Sequence, residues 1–176
     1  PLCGKVQNPE LATLFAKQQS KLVLLTAHRR ESFGKPLQDI FQAIQRLTTM
    51  DADLEIIYPV HPRTKKILIQ NEITIPKNIQ IIEPVGWIEL MGIGRNARFI
   101  ITDSGGLQKE ALWLNKHCLT IREQTEWVET IQQHVNQLVK VDDNISIPDI
   151  RKGDFSNPYG DGKASVSILD FIRNRL

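Results

Sequence analysis

The chain has 176 residues, a formal net charge of +2 and 41% hydrophobic residues. That length fits one α/β domain with a substantial core, and the near-balanced charge gives no reason to expect a nucleic-acid surface. No apolar run approaches the roughly 20 residues of a membrane-spanning helix, so no membrane partner is expected either. No signal peptide is visible, and the two cysteines, Cys3 and Cys118, lie far apart without metal-ligand spacing. Reduced thiols and a cytoplasmic location are therefore the default expectation. The chain begins Pro1-Leu2-Cys3-Gly4 with no initiator Met, which fits a processed chain or a piece of a longer one.

Leu11, Leu14 and Phe15 share the spacing of a lead-in helix over 9–18. Residues 21–27, KLVLLTA, read as the first clear strand. At its carboxyl end comes His28-Arg29-Arg30-Glu31-Ser32-Phe33-Gly34, ahead of a helix carrying Ile40, Phe41, Ile44 and Leu47. Ligands of open α/β sheets collect just beyond the carboxyl ends of strands, so a His-Arg-Arg cluster there suits a diphosphate. A solvated basic loop is the blander alternative. Residues 53–60 form a second strand ending in Pro59-Val60-His61-Pro62, with a helix over 63–70 behind it. His61 is a weaker candidate for ligand contact. A third strand, 78–82, closes in Glu83-Pro84-Val85-Gly86 and leads into a short helix over 87–97. The turn at Val85 offers backbone N–H and C=O to the edge of a base. Leu90 is either an apolar wall beside it or a core residue.

The next stretch organises the chain. Phe99-Ile100-Ile101-Thr102 is a buried strand, Asp103-Ser104-Gly105-Gly106 a turn, and Leu107 to Trp113 a helix with an apolar face. Strand, small-residue turn and helix opening together place backbone N–H groups where phosphate oxygens bind. Gly105 and Gly106 allow close approach to the backbone, and Ser104 either caps the helix or donates to a phosphate. Glu110 falls further into the helix, on the face returning to the site, where a carboxylate grips sugar hydroxyls. An ordinary capped strand–helix connection is the competing reading.

A fifth strand over 118–121 ends in Arg122-Glu123-Gln124-Thr125-Glu126-Trp127-Val128-Glu129, and Arg122 is expected to point into the crevice of Ser104. Thr125 is placed as the N-cap of a helix over 126–133, with a sixth strand at 137–141. Strand–helix pairs of this kind predict an α/β fold: a Rossmann-like parallel sheet with helices on both faces. Residues 142–156 read as a connector and Asn157-Pro158-Tyr159-Gly160-Asp161-Gly162 as a dense turn. A terminal helix over 164–176 carries an apolar stripe of Ile168, Leu169, Phe171 and Ile172. The expected division is a nucleotide-binding domain over 1–156 and a turn with terminal helix over 157–176.

Five of these motifs occur in an order that resembles a known family: Thr26-Ala27-His28-Arg29-Arg30-Glu31-Ser32, Pro59-Val60-His61, Thr102 to Glu110, Arg122-Glu123-Gln124-Thr125-Glu126, and Asn157 to Gly162. Together they resemble the C-terminal half of the non-hydrolysing UDP-N-acetylglucosamine 2-epimerases. The resemblance implies a two-lobed fold of the GT-B glycosyltransferase type, with this chain as the UDP-binding lobe. It implies that His28 contacts the diphosphate, that Ser104, Gly105 and Gly106 hold phosphate, and that Glu110 binds the ribose. Val85 falls where the family binds uracil and Leu90 where it flanks the base; Arg29, Glu31 and Arg122 line the same cleft.

The chemistry implied is inversion at the sugar C2, by elimination of UDP and its re-addition, without a metal or redox cofactor. The N-terminal domain that carries the acid and base carboxylates is absent from this chain and is the partner the resemblance implies. Trp127 stands where the family often has Arg, as in a branch acting on 2,3-diacetamido sugar acids, so the sugar stays open between the two. The connector before Asn157 is shorter than the family's usual one. In GT-B folds the terminal helix crosses back onto the N-terminal domain, so its stripe here is expected to be exposed or to pack elsewhere. A homodimer stays open as the assembly. Two further readings stand beside the epimerase: the nucleotide-binding half of a GT-B glycosyltransferase, and a non-catalytic UDP-binding module.

Overall fold

The computed structural model describes residues 21–28, 35–140 and 145–175. The expected helix over 9–18, Cys3, Arg29 and Glu31 lie outside the described residues. Six parallel strands form one sheet: β1 (Leu22–Thr26), β2 (Glu55–Pro59), β3 (Ile79–Ile82), β4 (Phe99–Thr102), β5 (His117–Thr120) and β6 (Asn136–Leu138). Their order across the sheet is β3-β2-β1-β4-β5-β6, and each neighbouring pair runs parallel. This is the doubly wound Rossmann order, in which the winding reverses between β1 and β4.

The helices are α1 (Lys35–Met50), α2 (Pro62–Gln70), α3 (Trp87–Asn96), α4 (Gly105–Trp113), α5 (Val128–Gln132) and α6 (Ala164–Arg173). Strands β1, β4 and β5 are buried along their whole length, as a sheet covered on both faces requires; β1 and β4 read as near-continuous apolar runs, while β5 also buries His117 and Thr120. Period-two alternation divides them between two cores. Val23, Leu25, Phe99 and Ile101 meet Ile40, Phe41, Ile44 and Leu47 of α1 on one face. Leu24, Ile57 and Ile100 meet Ile93 of α3 and Leu107 and Ala111 of α4 on the other.

Every predicted strand is present, with ends moved by a few residues. Two expectations about the second half are corrected. The helix placed at 126–133 is only Val128–Gln132, and its N-cap is Trp127, not Thr125. Thr125 instead accepts the Trp127 N–H at 3.1 Å and donates to Gln108 Oε1 at 2.6 Å. A threonine hydroxyl bonded two residues ahead makes a turn, and that turn competes with helix initiation. The sixth strand is Asn136–Leu138, earlier and shorter than 137–141. Cys118 is free and buried, and that burial pushes its thiol up to about 12.

The segment after β6 crosses the sheet above His117. The imidazole is 5% exposed, packs edge-on against Phe155 at 5.2 Å, and leaves Nε2 buried without a hydrogen-bond partner. Gly153 passes directly over it with φ +122, where a Cβ would lie 3.0 Å from the ring. Burial lowers the His117 pKa below 6.5, opposed in part by the surrounding backbone and by Asp149. The folded chain therefore holds this ring neutral.

Two outcomes are expected. Leu25→Ala, in the fully buried central strand, should lower stability by about 2–5 kcal/mol, seen as a lower urea midpoint with an unchanged slope. For His117 the unfolded chain binds more protons than the folded one as pH falls below 6.5. Stability should therefore be full above that pH and drain away as pH falls from there towards the depressed folded value. His117→Gln should flatten this part of a stability-versus-pH curve measured by urea unfolding.

Candidate functional site

The carboxyl ends of β1 and β4 are tied together before they part. Thr26 pairs with Thr102 in register, their hydroxyl oxygens lie 2.6 Å apart, and Asp103 N–H donates to Thr26 O at 3.2 Å. Beyond the tie, His28 N–H donates to Asp103 Oδ2 at 2.8 Å and Ser104 N–H donates to Thr102 Oγ1 at 2.9 Å. These bonds set the turn that opens α4.

Ser104 is the N-cap of that helix by backbone conformation, with φ −81 and ψ 132, but no side chain caps the helix. Of the two roles open to its hydroxyl, capping is therefore not the one taken. The N–H groups of the first turn have no intrahelical partners, and the helix dipole makes them a favourable place for an anion. At Gly106 an added Cβ would meet nothing nearer than Ser104 Oγ at 4.0 Å, so the approach is open. At Gly105 a Cβ would collide with the carboxylate of Glu126.

A cleft of about 220 Å³ lies over these strand ends, and His28, Val85, Leu90, Ser104 and Glu110 all line it. Thr26, Pro59, Pro84, Leu107 and His61 complete the lining. Residues from the ends of β1, β2, β3 and β4 thus converge on one space. Val85 and Leu90 also pack on the core beneath α3 and α4, so Leu90 is a core contact as well as a lining residue. His61 is the N-cap of α2, its Nδ1 accepting Arg63 N–H at 3.2 Å.

Arg122 does not line the cleft; its guanidinium donates to Glu126 at 2.9 Å, beside Gly105. Arg29 and Glu31 lie outside the described residues. A second cavity, about 440 Å³, opens at β5 and β6 with His117, His134, Asp149 and Lys152 in its walls, and shares no lining residue with the cleft.

Several supporting residues were not singled out from the sequence. Trp87, read only as a helix start, donates its indole N–H to Glu110 Oε1 at 2.8 Å and so fixes one carboxylate oxygen at the cleft. Gln108 is fully buried below the glycine turn. Its Nε2 donates to Ser104 O at 3.1 Å, while its Oε1 accepts from Thr125 at 2.6 Å and from Asn136 at 2.9 Å. Asn136 in turn accepts from Thr120 at 2.7 Å. The signal available was a glutamine at the position following Leu107 on an otherwise apolar helix face, which calls for buried partners.

The turn over 157–162 braces the same helices from outside. Lys109 sits over the Trp127 ring at 3.8 Å, Tyr159 packs edge-on against Trp127, and Trp113 donates to Asn157 at 3.4 Å. Burial first, and then Glu129, push the Tyr159 phenol up to about 12. Its hydroxyl donates to Glu129 at 3.3 Å and stays protonated.

The family model described as UDP-N-acetylglucosamine 2-epimerase matches residues 4–173. The chain belongs to this family. It is 37% identical over 170 residues to a UDP-N-acetylglucosamine 2-epimerase of Methanococcus maripaludis, covering 88% of this chain and 45% of that protein. It is 32% identical over 162 residues to a UDP-2,3-diacetamido-2,3-dideoxy-D-glucuronate 2-epimerase of Pseudomonas aeruginosa, covering 88% of this chain and 45% of the relative. Among solved structures, the UDP-GlcNAc 2-epimerase of Methanocaldococcus jannaschii in complex with UDP-GlcNAc and UDP superposes with a TM-score of 0.75 at 33% identity. That likeness covers 96% of this chain and 49% of the other. The chain thus spans about half the length of the family members it matches.

Gln108→Leu is expected to strip partners from Thr125, Asn136 and the Ser104 carbonyl together. The cost should be about 1–3 kcal/mol for each buried group left unsatisfied, read as a lower midpoint in urea unfolding.

Proposed function

We propose that this chain is the UDP-binding, C-terminal half of a cytoplasmic UDP-sugar 2-epimerase that interconverts UDP-N-acetylglucosamine and its C2 epimer. The observation that carries the reading is the single cleft at the β1 and β4 carboxyl ends, where His28, Ser104, Glu110, Val85 and Leu90 converge beside an uncapped helix N-terminus. In a chain of this family, that combination supports a nucleoside diphosphate. The first-turn N–H groups of α4 and the Ser104 hydroxyl hold phosphate oxygens, with Gly106 leaving the approach open and Gly105 making room for the Glu126 carboxylate beside the turn. His28 meets the diphosphate from the β1 side. Glu110, one oxygen held by Trp87, presents the other to the ribose hydroxyls. The backbone at Val85 takes the uracil edge and Leu90 its face. Arg29 and Glu31, which follow His28 in the sequence, are assigned to the same binding surface, while Arg122, paired with Glu126 beside Gly105, supports the glycine turn from outside the cleft.

The reaction removes the C2 proton of the sugar and breaks the C1–O bond, releasing UDP and a 2-acetamidoglucal. UDP oxygen then attacks C1 again while a proton returns to the opposite face of C2. Negative charge grows on the UDP oxygen as the bond breaks. Fixed donors at the α4 terminus and His28 favour that charge. The acid and base come from a second, N-terminal lobe, against which the apolar stripe of α6 packs. Val166, Ile168, Leu169, Phe171 and Ile172 are all exposed on that helix.

A UDP-2,3-diacetamido sugar acid is the second reading of the substrate, favoured by the likeness to the Pseudomonas aeruginosa enzyme. Both sugars share the UDP handle.

Calorimetric titration of the 176-residue chain with UDP, with AMP as control, tests the reading. Selective binding of UDP is expected, weakened about tenfold or more in Glu110→Ala through loss of charge-assisted hydrogen bonds. Equal binding of UDP and AMP, or UDP binding indifferent to Glu110, would overturn it.

A further inference from the structure

Asp103 carries a carboxylate yet is only 1% exposed. A carboxylate taken that far from water is costly unless it is paired. Its partner comes from the end of β1. Oδ2 accepts His28 N–H at 2.8 Å, and Oδ1 lies 3.7 Å from His28 Nδ1. One side chain thus addresses both the backbone and the ring of His28. The residue before is held as well, because the buried Tyr58 hydroxyl donates to Ala27 O. Burial and the charge of Asp103 both push the Tyr58 phenol up, so it stays a donor.

The ring itself reaches outward. The His28 side chain is 53% exposed and lines the cleft together with Glu110 of α4 and His61 at the start of α2. With Nδ1 turned to Asp103, the nitrogen left for a ligand is Nε2, across the ring. The nitrogen that carries the proton in a neutral imidazole is set by what the other nitrogen faces.

We propose that Asp103 is a positioning residue that fixes His28 with Nδ1–H towards its carboxylate and Nε2 towards the cleft. This rests on the UDP site proposed above for its ligand, but on this chain's own geometry for the pairing. When a diphosphate enters, the imidazolium form has both nitrogens donating, Nδ1–H to Asp103 and Nε2–H to a phosphate oxygen. Negative, positive and negative groups then lie in line, and the central charge is neutralised from both sides, by the buried Asp103 carboxylate within and the phosphate without. Asp103 acts through His28 and does not itself meet the ligand.

Nitrogen-15 NMR of the imidazoles tests this in the 176-residue chain without nucleotide, at alkaline pH. His28 is expected as the Nδ1-protonated tautomer, and Asp103→Asn should move it towards the Nε2-protonated form. In UDP titrations Asp103→Asn should weaken binding about tenfold, and adding it to His28→Ala should cost nothing more. A carboxylate that merely stabilised the turn would weaken binding equally in both backgrounds, and that additivity would overturn the proposal. So would an Nε2-protonated His28 in the unsubstituted chain, a result that stands even where Asp103→Asn fails to fold. Failure of the unsubstituted chain to bind UDP would remove the nucleotide site, while the tautomer would still decide the pairing.

Discussion

The reversal of winding between β1 and β4 is the constraint from which the rest of the site follows. The two strands are hydrogen-bonded neighbours over four residue pairs, yet the connection leaving β1 leads towards β2 and the one leaving β4 leads towards β5. Neither crossing covers the seam, so a crevice is left there at the carboxyl ends. The residues of the proposed site gather at this opening: His28 from one strand, Asp103 and Ser104 from the other, and the amino end of α4. The Thr26–Thr102 contact, a pair of hydroxyls in an otherwise apolar seam, marks where the sheet stops and the site begins. Buried hydroxyls so close to one another satisfy each other, and that fixes the two strand ends at the distance the turn requires.

A crevice needs its walls held still, and here buried amide groups add to the apolar packing beneath them. Gln108 joins the glycine turn, the loop at Thr125 and the edge strand at Asn136 into one connected set of bonds. Such a network stabilises a unique arrangement only when each member is satisfied. Its amides and hydroxyls find their partners across three elements, so the Ser104 turn, the Thr125 loop and β6 share one set of bonds. The outer layer of Lys109, Trp127 and Tyr159 adds cation–π and edge-to-face contacts that keep α4 from rotating on the sheet.

Much of this was legible in the sequence because it depends on local rules. Apolar runs of four or five residues bounded by turn residues marked each strand, and their repeated alternation with helical segments gave the parallel sheet. The cleft was legible for a related reason: strand ends in this topology converge, so residues just past them, such as His28, Val85 and Ser104, meet without any long-range pairing having to be guessed. What escaped were contacts between distant side chains. Nothing local says that Trp87 reaches Glu110, that Asp103 holds His28, or that Thr125 bonds Gln108 and so shortens α5. A threonine before a short amphipathic stretch looks like a cap until a better partner is seen.

The terminal helix shows how far such rules extend. Its stripe of Ile168, Leu169, Phe171 and Ile172 was read correctly as apolar, yet among the described residues of α6 none is buried. A ten-residue helix is too short to be stable on its own propensity in water. Amphipathic helices draw their stability from what they cover. Among the described residues nothing covers the stripe, which fits the proposed second lobe. The turn at Asn157 and Tyr159 anchors the chain to α4 and α5 just ahead of this helix. Tyr159, Trp127 and Lys109 thus link the chain just ahead of α6 to the helix that opens at the glycine turn.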